Sequence, residues 1–418
     1  MKVVEKMNLK NQKTEFKEIW WLKPYLLTLF CLVPMYIFMY FFNINKSFNY
    51  FKGMYFFVGL IYLLWFSIVS CISNRTSITT KIRKKSDLQV NLICLDILAI
   101  LTMLAYCIWF FPVIVNKDLL VMLLTGNGGV DGVKYLISTI PGITTLSQLG
   151  VVYVTLYVFC LYNKQALSKR FKFYFFVITV MTIFRVVAWS ERLALIEFVL
   201  PIVIYCISFH KISSIFWKKL INFIPYIGLV AVIILFGITE YFRSWSYYMH
   251  MYSSYSEFVI ERFFNYYYLA LNNGAGILSF YQWPTYDFSN IASWVYKFPI
   301  IGDYFFDVSL ISDYKADFLR YHGNEEFTNS SGLFMIMQDI GVLGGLIYTT
   351  ILGILAGFWY RSFRNGNGIG ILLYPLIYLN MLEFLRILYI ADSRAFPIIL
   401  FSCIVYIFFI KRKESSVS

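Results

Sequence analysis

The chain has 418 residues, of which 59% are apolar, 14% charged and 21% aromatic, with a mean hydropathy of +0.66. Soluble domains hold about a quarter charged residues, so a soluble globular protein is excluded. The aromatic content excludes a disordered chain, and the long unbroken apolar runs exclude an outer-membrane barrel, whose strands alternate with period two. What remains is an all-α polytopic membrane protein. The seven cysteines lie inside apolar runs and no CxxC occurs, so neither a disulfide framework nor a zinc site is expected.

Apolar runs predict about ten transmembrane helices. In chain order they are Leu22 to Phe42, Met54 to Ser73, Leu92 to Val115, Tyr135 to Tyr162, Phe173 to Trp189, Leu193 to Phe209 and Ile221 to Glu240, then Gly332 to Tyr360, Ile369 to Ala391 and Ala395 to Ile410. The first is too long for a cleavable signal and reads as a retained anchor. The fourth contains Pro141-Gly142 and is either tilted or broken. Starting inside, the alternate connections hold 23 of the 36 basic residues and only five acids. The positive-inside rule therefore predicts cytoplasmic N- and C-termini.

The layout divides into residues 1–240 (spans 1 to 7), a large outer loop at 241–331, and residues 332–418 (spans 8 to 10). The loop carries five basic and nine acidic residues, which argues against nucleic acid as a partner. It also holds 28 aromatic residues. Rings beside carboxylates suit a sugar-handling surface, although Tyr and Trp also enrich at any membrane interface.

An ionisable side chain within a span costs at least roughly 2.5 kcal/mol. Six stand out: Asp96, Arg185, Glu197, Asp339, Glu383 and Arg386. At about 1.5 Å rise per residue, all but Asp96 fall in the outer half of the bilayer. A transporter would spread such groups through the full depth; an enzyme acting on a lipid-linked substrate would gather them on one side. The fifth and sixth spans, at 17 residues each, look slightly short, so their shared turn Ser190-Glu191-Arg192 is expected to be recessed. Arg185, Glu191, Arg192 and Glu197 would then form a cradle for phosphate or pyrophosphate. The competing expectations are mutual neutralisation of these charges, and for Asp339 a helix-packing hydrogen bond beside Gly341, Gly344 and Gly345.

The run Asn329-Ser-Ser-Gly-Leu-Phe-Met-Ile-Met-Gln-Asp-Ile-Gly-Val-Leu-Gly-Gly345 after the large loop, with Trp189-Ser-Glu-Arg-Leu-Ala-Leu-Ile-Glu197 opening a span, resembles the Wzy-type oligosaccharide-repeat polymerases of bacterial surface polysaccharides. The resemblance implies a GT-C-like, metal-independent glycosyltransferase without cofactor in the bacterial plasma membrane. Its substrate would be oligosaccharide units linked to undecaprenyl pyrophosphate, its surroundings membrane lipid, and a chain-length regulator protein a further partner. O-antigen ligases share the outline but open the corresponding helix with His-Asn, where this chain has Thr328-Asn329.

Glycosyl transfer needs a deprotonated acceptor hydroxyl and charge stabilisation on the departing pyrophosphate. Arg185, Arg192, Arg243, Arg320 and Arg386 are the candidate pyrophosphate clamp; Glu191, His322 and Asp339 are the candidate bases. The first outer segment, Asn43 to Gly53, has no Asp or Glu, so no metal is expected. The alternatives are a polysaccharide-unit flippase and a ligase-type transferase.

Overall fold

The computed structural model describes residues 18–42, 48–76, 88–118, 121, 137–189, 191–209, 214–298, 302, 304 and 308–412. Among the described residues, seven helices are long and apolar enough to cross a membrane: α1 (Pro24–Phe41), α2 (Met54–Arg75), α3 (Leu92–Trp109), α4 (Ile143–Tyr162), α5 (Lys169–Trp189), α6 (Arg192–Phe209) and, later in the chain, the 33-residue Gly332–Arg364. After α6 the chain forms α7 (Ile215–Asn222), α8 (Ile224–Glu240), α9 (Tyr255–Phe280) and α10 (Val308–His322). Gly332–Arg364 is α11; it is followed by α12 (Gly368–Glu383) and α13 (Ala395–Phe409), which with α8 are the shorter apolar helices. The protein is an all-α polytopic membrane protein, as helices are the one open-ended way to satisfy backbone groups in lipid.

Local chemistry sets several boundaries. Asn91 caps α3, its side chain accepting from the Ile93 amide at 3.1 Å, and Ser254 caps α9 through the Glu257 amide at 3.2 Å. Gly142, at φ +82°, turns the chain immediately before α4, so residues 137–142 of the predicted fourth span lie outside the helix and its first two lie outside the described residues. The fifth predicted span gains four at its start, and its 21 residues reach about 32 Å. It is therefore not short, and the burial of the turn after it has another source, described below.

α11 and α2 form the tightest helix pair through small residues at four-residue spacing. A side chain at Gly345 would collide with Tyr62, at Gly353 with Val69, and at Gly357 with the Ser70 carbonyl. Without a hydrophobic drive between helices in lipid, such close backbone approach supplies the packing energy. Gly341, at φ +73°, kinks α11 within its third turn.

The described ends of several connections meet on one face of the bundle. There β1 (Leu88–Val90) and β2 (Ile410–Arg412) pair antiparallel, with Leu88 opposite Arg412. Gln165 donates to the Val90 carbonyl at 2.6 Å and Asn163 to that of Leu88 at 3.1 Å. The Trp21 and Trp20 indoles donate to the carbonyls of Ile221 and Asn222 at 2.8 and 3.1 Å. Arg364 pairs with Glu18 at 3.2 Å, and Asp96 pairs with Arg170 at 2.8 Å. At the other face, Asn272 of α9 accepts from the amides of Tyr50 and Phe51 at 2.7 and 3.1 Å, and Ser331 donates its amide to the Arg386 carbonyl at 3.0 Å. Helix α9 of the 241–331 segment is thus built into the bundle, with its residues Tyr268 to Leu278 buried there.

Candidate charged centre

The turn between α5 and α6 meets the turn between α12 and α13. Arg185 donates from Nε to Glu191 Oε2 at 2.6 Å and from Nη1 to Ser147 Oγ at 3.1 Å. Its guanidinium lies 5.1 Å from the centroid of the Trp109 ring. Arg394 pairs with both Glu191 and Glu197, the latter at 2.6 Å. Tyr389 donates to the second oxygen of Glu197 at 2.6 Å. The amide of Gln148, turned so that its oxygen faces the cations, accepts from Arg394 and Arg185 and donates to Glu197. Glu197 is buried beneath this turn by partners from α4 and the 389–394 segment; its own helix α6, at 18 residues, is close to the length expected from sequence.

One residue further on, Arg192 pairs with Glu240, which also holds Arg262 at 2.8 Å and accepts from Ser244 at 2.6 Å. Arg262 reaches Glu326 at 3.1 Å, and Tyr248 donates to Glu326 at 2.6 Å. Burial, then the Glu326 carboxylate, pushes the Tyr248 phenol up to about 12. The third part is Glu383 with Arg386, joined at 2.6 Å; Arg386 also donates to Tyr266 OH at 2.9 Å. The Tyr266 ring has Arg386 at 5.0 Å and Arg192 at 5.8 Å from its centroid, which joins this pair to the Arg192 group.

Among the described side chains, the network brings Arg185, Arg192, Arg262, Arg386 and Arg394 against Glu191, Glu197, Glu240, Glu326 and Glu383. Its depth profile is informative. The Glu197 and Glu240 side chains are 1% exposed, while Glu191 and Glu326 are 23% and 42% exposed. Deep carboxylates orient the guanidiniums from below, and the shallower ones sit where a ligand could replace them.

Of the candidates from sequence, Arg185, Glu191, Arg192 and Arg386 are brought together. Asp339 is elsewhere: its carboxylate accepts from the Asn290 and Ile291 amides at 2.9 and 2.8 Å and from the Asn290 side chain at 2.5 Å. It is a clamp for the outer segment around residue 290, and not the expected packing bond between helices. His322 stacks on Phe280 with centroids 4.0 Å apart. Arg320 is exposed, beside Tyr321. Neither joins the network, because α10 lies at the Tyr50, Phe280 and Ile277 side of α9. Arg243 falls in the π-helical turn Tyr241–Trp245, and its side chain lies outside the described residues, as does Ser190.

The sequence reading missed Arg394, Glu240 and Arg262. Arg394 is a cation in the turn between the last two spans and Glu240 closes a span with an acid; both carry the signal used for Arg185. Arg262 looks like an ordinary loop charge until α9 packs. Comparison with protein-family models, curated proteins and solved structures finds no match for this chain.

Proposed function

We propose that this chain is a GT-C-like, metal-independent glycosyltransferase of the Wzy type. It joins oligosaccharide repeat units carried on undecaprenyl pyrophosphate, at the face of the bacterial plasma membrane opposite the lysine-rich segments. The observation that carries this reading is the one-sided network of five arginines and five glutamates. Guanidinium forks bind phosphate oxygens bidentately and stay charged when desolvated.

In this mechanism the diphosphate of the donor takes the N–H groups of Arg185 and Arg394 that Glu191 now occupies. Glu197, buried and held by Tyr389, stays in place and keeps Arg394 aimed. The displaced Glu191 carboxylate then accepts the proton of the acceptor hydroxyl. The acceptor oxygen bonds to the anomeric carbon, and the bond from that carbon to the diphosphate breaks, its electron pair leaving with the prenyl diphosphate. General-base assistance of this kind contributes about 10²–10⁴-fold. The stacked His322 and the clamped Asp339 leave Glu191 as the base.

The test is the purified protein with a single lipid-linked repeat unit, read as a ladder on a gel. Glu191→Gln is expected to slow chain extension at least about 100-fold, and Arg394→Gln to raise the substrate concentration required. An unchanged ladder from both variants overturns the assignment. In cells, loss of a polymerase leaves one repeat unit on the surface acceptor, whereas loss of a flippase leaves none.

A further inference from the structure

Segment 283–298 is tied down on two sides. On one side it meets α11 where Gly341 breaks the helix: the Thr285 and Tyr286 amides donate at 2.9 Å to the Gln338 and Asp339 carbonyls, in the turn that the break interrupts. The Asp339 carboxylate holds the Asn290 and Ile291 amides, and Lys315 of α10 donates to the Asn290 side chain. Trp283 donates to the Leu278 carbonyl of α9 at 2.8 Å. Between these ties Tyr286 and Phe288 stand at φ +55° and +60°, a left-handed conformation that such residues keep only where their surroundings fix it. On the other side the segment packs on the turn that carries Arg394. Ser293 donates to the Ala391 carbonyl at 2.7 Å. The Trp294 ring lies on that of Phe396, with centroids 4.2 Å apart and planes within 7°. Phe298 meets Phe396 edge-on at 5.9 Å, and Lys297 stands 4.0 Å from Asp392, whose carboxylate accepts the Arg394 amide at 3.0 Å.

Arg394 precedes α13 and belongs to no α-helix: the chain leaves α12 at Glu383 and enters α13 at Ala395. Its backbone is therefore placed by the Asp392 cap and by whatever packs on the turn. We infer that segment 283–298 is a strap that positions Arg394 against Glu191 and Glu197, acting through the stack of Trp294 on Phe396. The strap spans from the break in α11 to the start of α13, so it fixes the turn relative to a second helix and not only to its own two neighbours. Distance matters here, because an ion pair in low dielectric changes steeply over a few ångströms. A shift of about 1 Å in a group that holds substrate costs up to about 100-fold in rate. The inference rests on the transferase reading for what Arg394 holds, and makes Trp294 a positioning residue of that site.

The experiment compares Trp294→Ala and Trp294→Phe with the parent, each as the full chain in nanodiscs, by two readings. In hydrogen–deuterium exchange, Trp294→Ala is expected to speed exchange across residues 388–398 at least about tenfold, with α4 unchanged and Trp294→Phe at the parental rate. In the ladder assay, Trp294→Ala is expected to raise the half-saturating concentration of the lipid-linked unit about tenfold, with the maximal rate within about twofold of the parent. Trp294→Phe should restore it, and Trp294→Ala should add nothing to Arg394→Gln. A residue that only stabilised the fold would lower the maximal rate and add to Arg394→Gln. If Trp294→Ala misfolds, Ser293→Ala, which removes the bond to the Ala391 carbonyl, carries the same test with shifts in the same direction. Unchanged exchange at 388–398, an unchanged half-saturating concentration, or an effect additive with Arg394→Gln overturns the strap. Exchange requires no sugar transfer, so a parent chain that builds no ladder while Trp294→Ala still speeds exchange refutes the polymerase and leaves the strap's hold on the Arg394 turn standing.

Discussion

Replacing Arg394 with methionine removes the cation that holds Glu197 while roughly preserving side-chain volume. Glu197 is 1% exposed and would keep only the Tyr389 hydroxyl and the Gln148 amide. Leaving one partner of a buried ion pair uncompensated costs about 3–5 kcal/mol, and that range is the expected loss for Arg394→Met. The double variant Arg394→Met/Glu197→Gln has no buried charge left unpaired at this point, and Tyr389 still has an acceptor. It should recover most of the loss, with a coupling of about 2–3 kcal/mol. The assay is unfolding of the purified protein in mixed micelles by SDS titration, followed by tryptophan fluorescence and analysed as a double-mutant cycle. A single variant within about 1 kcal/mol of the parent, or a double variant no more stable than Arg394→Met, refutes the claim that Glu197 is held by a desolvated partner.

Asp339→Asn sets an amide against donors where three bonds now converge; it is expected to cost about 1–3 kcal/mol and to open the segment around residue 290 to protease, with helical circular dichroism unchanged. Gly357→Leu, which drives a side chain into the Ser70 carbonyl, should cost about 1–3 kcal/mol or more by separating α2 from α11 and should show as aggregation on size exclusion. Lys315, beside Asn290 and near Asp339, is lowered from the usual 10.5 to about 8, chiefly by burial. The unfolded chain therefore binds the extra proton between pH 8 and 10.5, so stability should rise through that window. The gap corresponds to roughly 3 kcal/mol at most, and Lys315→Met should flatten the rise in thermal unfolding scans.

Helical membrane architecture was legible because hydropathy acts residue by residue: each apolar run from Met54 to Tyr360 outside the large loop holds a helix, with the largest boundary differences at the start of α4 and the end of α3. Charge asymmetry was equally readable, and the described ends of four of the predicted inner connections are tied together by the β1–β2 pair, the bonds of Asn163 and Gln165 to β1 and the tryptophan bonds. Element ends were less legible. Gly142 turns the chain where hydropathy alone would already begin a helix, and residues 169–172 extend α5 beyond its apolar run because their backbone continues the helix while the Lys169, Arg170 and Lys172 side chains stay exposed. The loop's α9 could not be read as part of the bundle, since its Tyr, Asn and Gly residues pack only when α11 lies beside them.

For the site, the cost of a charge inside a span singled out Asp96, Arg185, Glu197, Asp339, Glu383 and Arg386 from sequence alone, with Glu191 and Arg192 in the turn expected to be recessed. Which cation meets which carboxylate was decided only by tertiary structure. Arg394 reaches Glu197 across 197 positions of chain, and Arg262 reaches Glu240 only after α9 folds back onto α8. The same folding sends Asp339, Arg320 and His322 to other surroundings. Hydropathy and charge are properties of single residues and their near neighbours, whereas an ion pair in low dielectric depends on a distance of a few ångströms that no local pattern encodes.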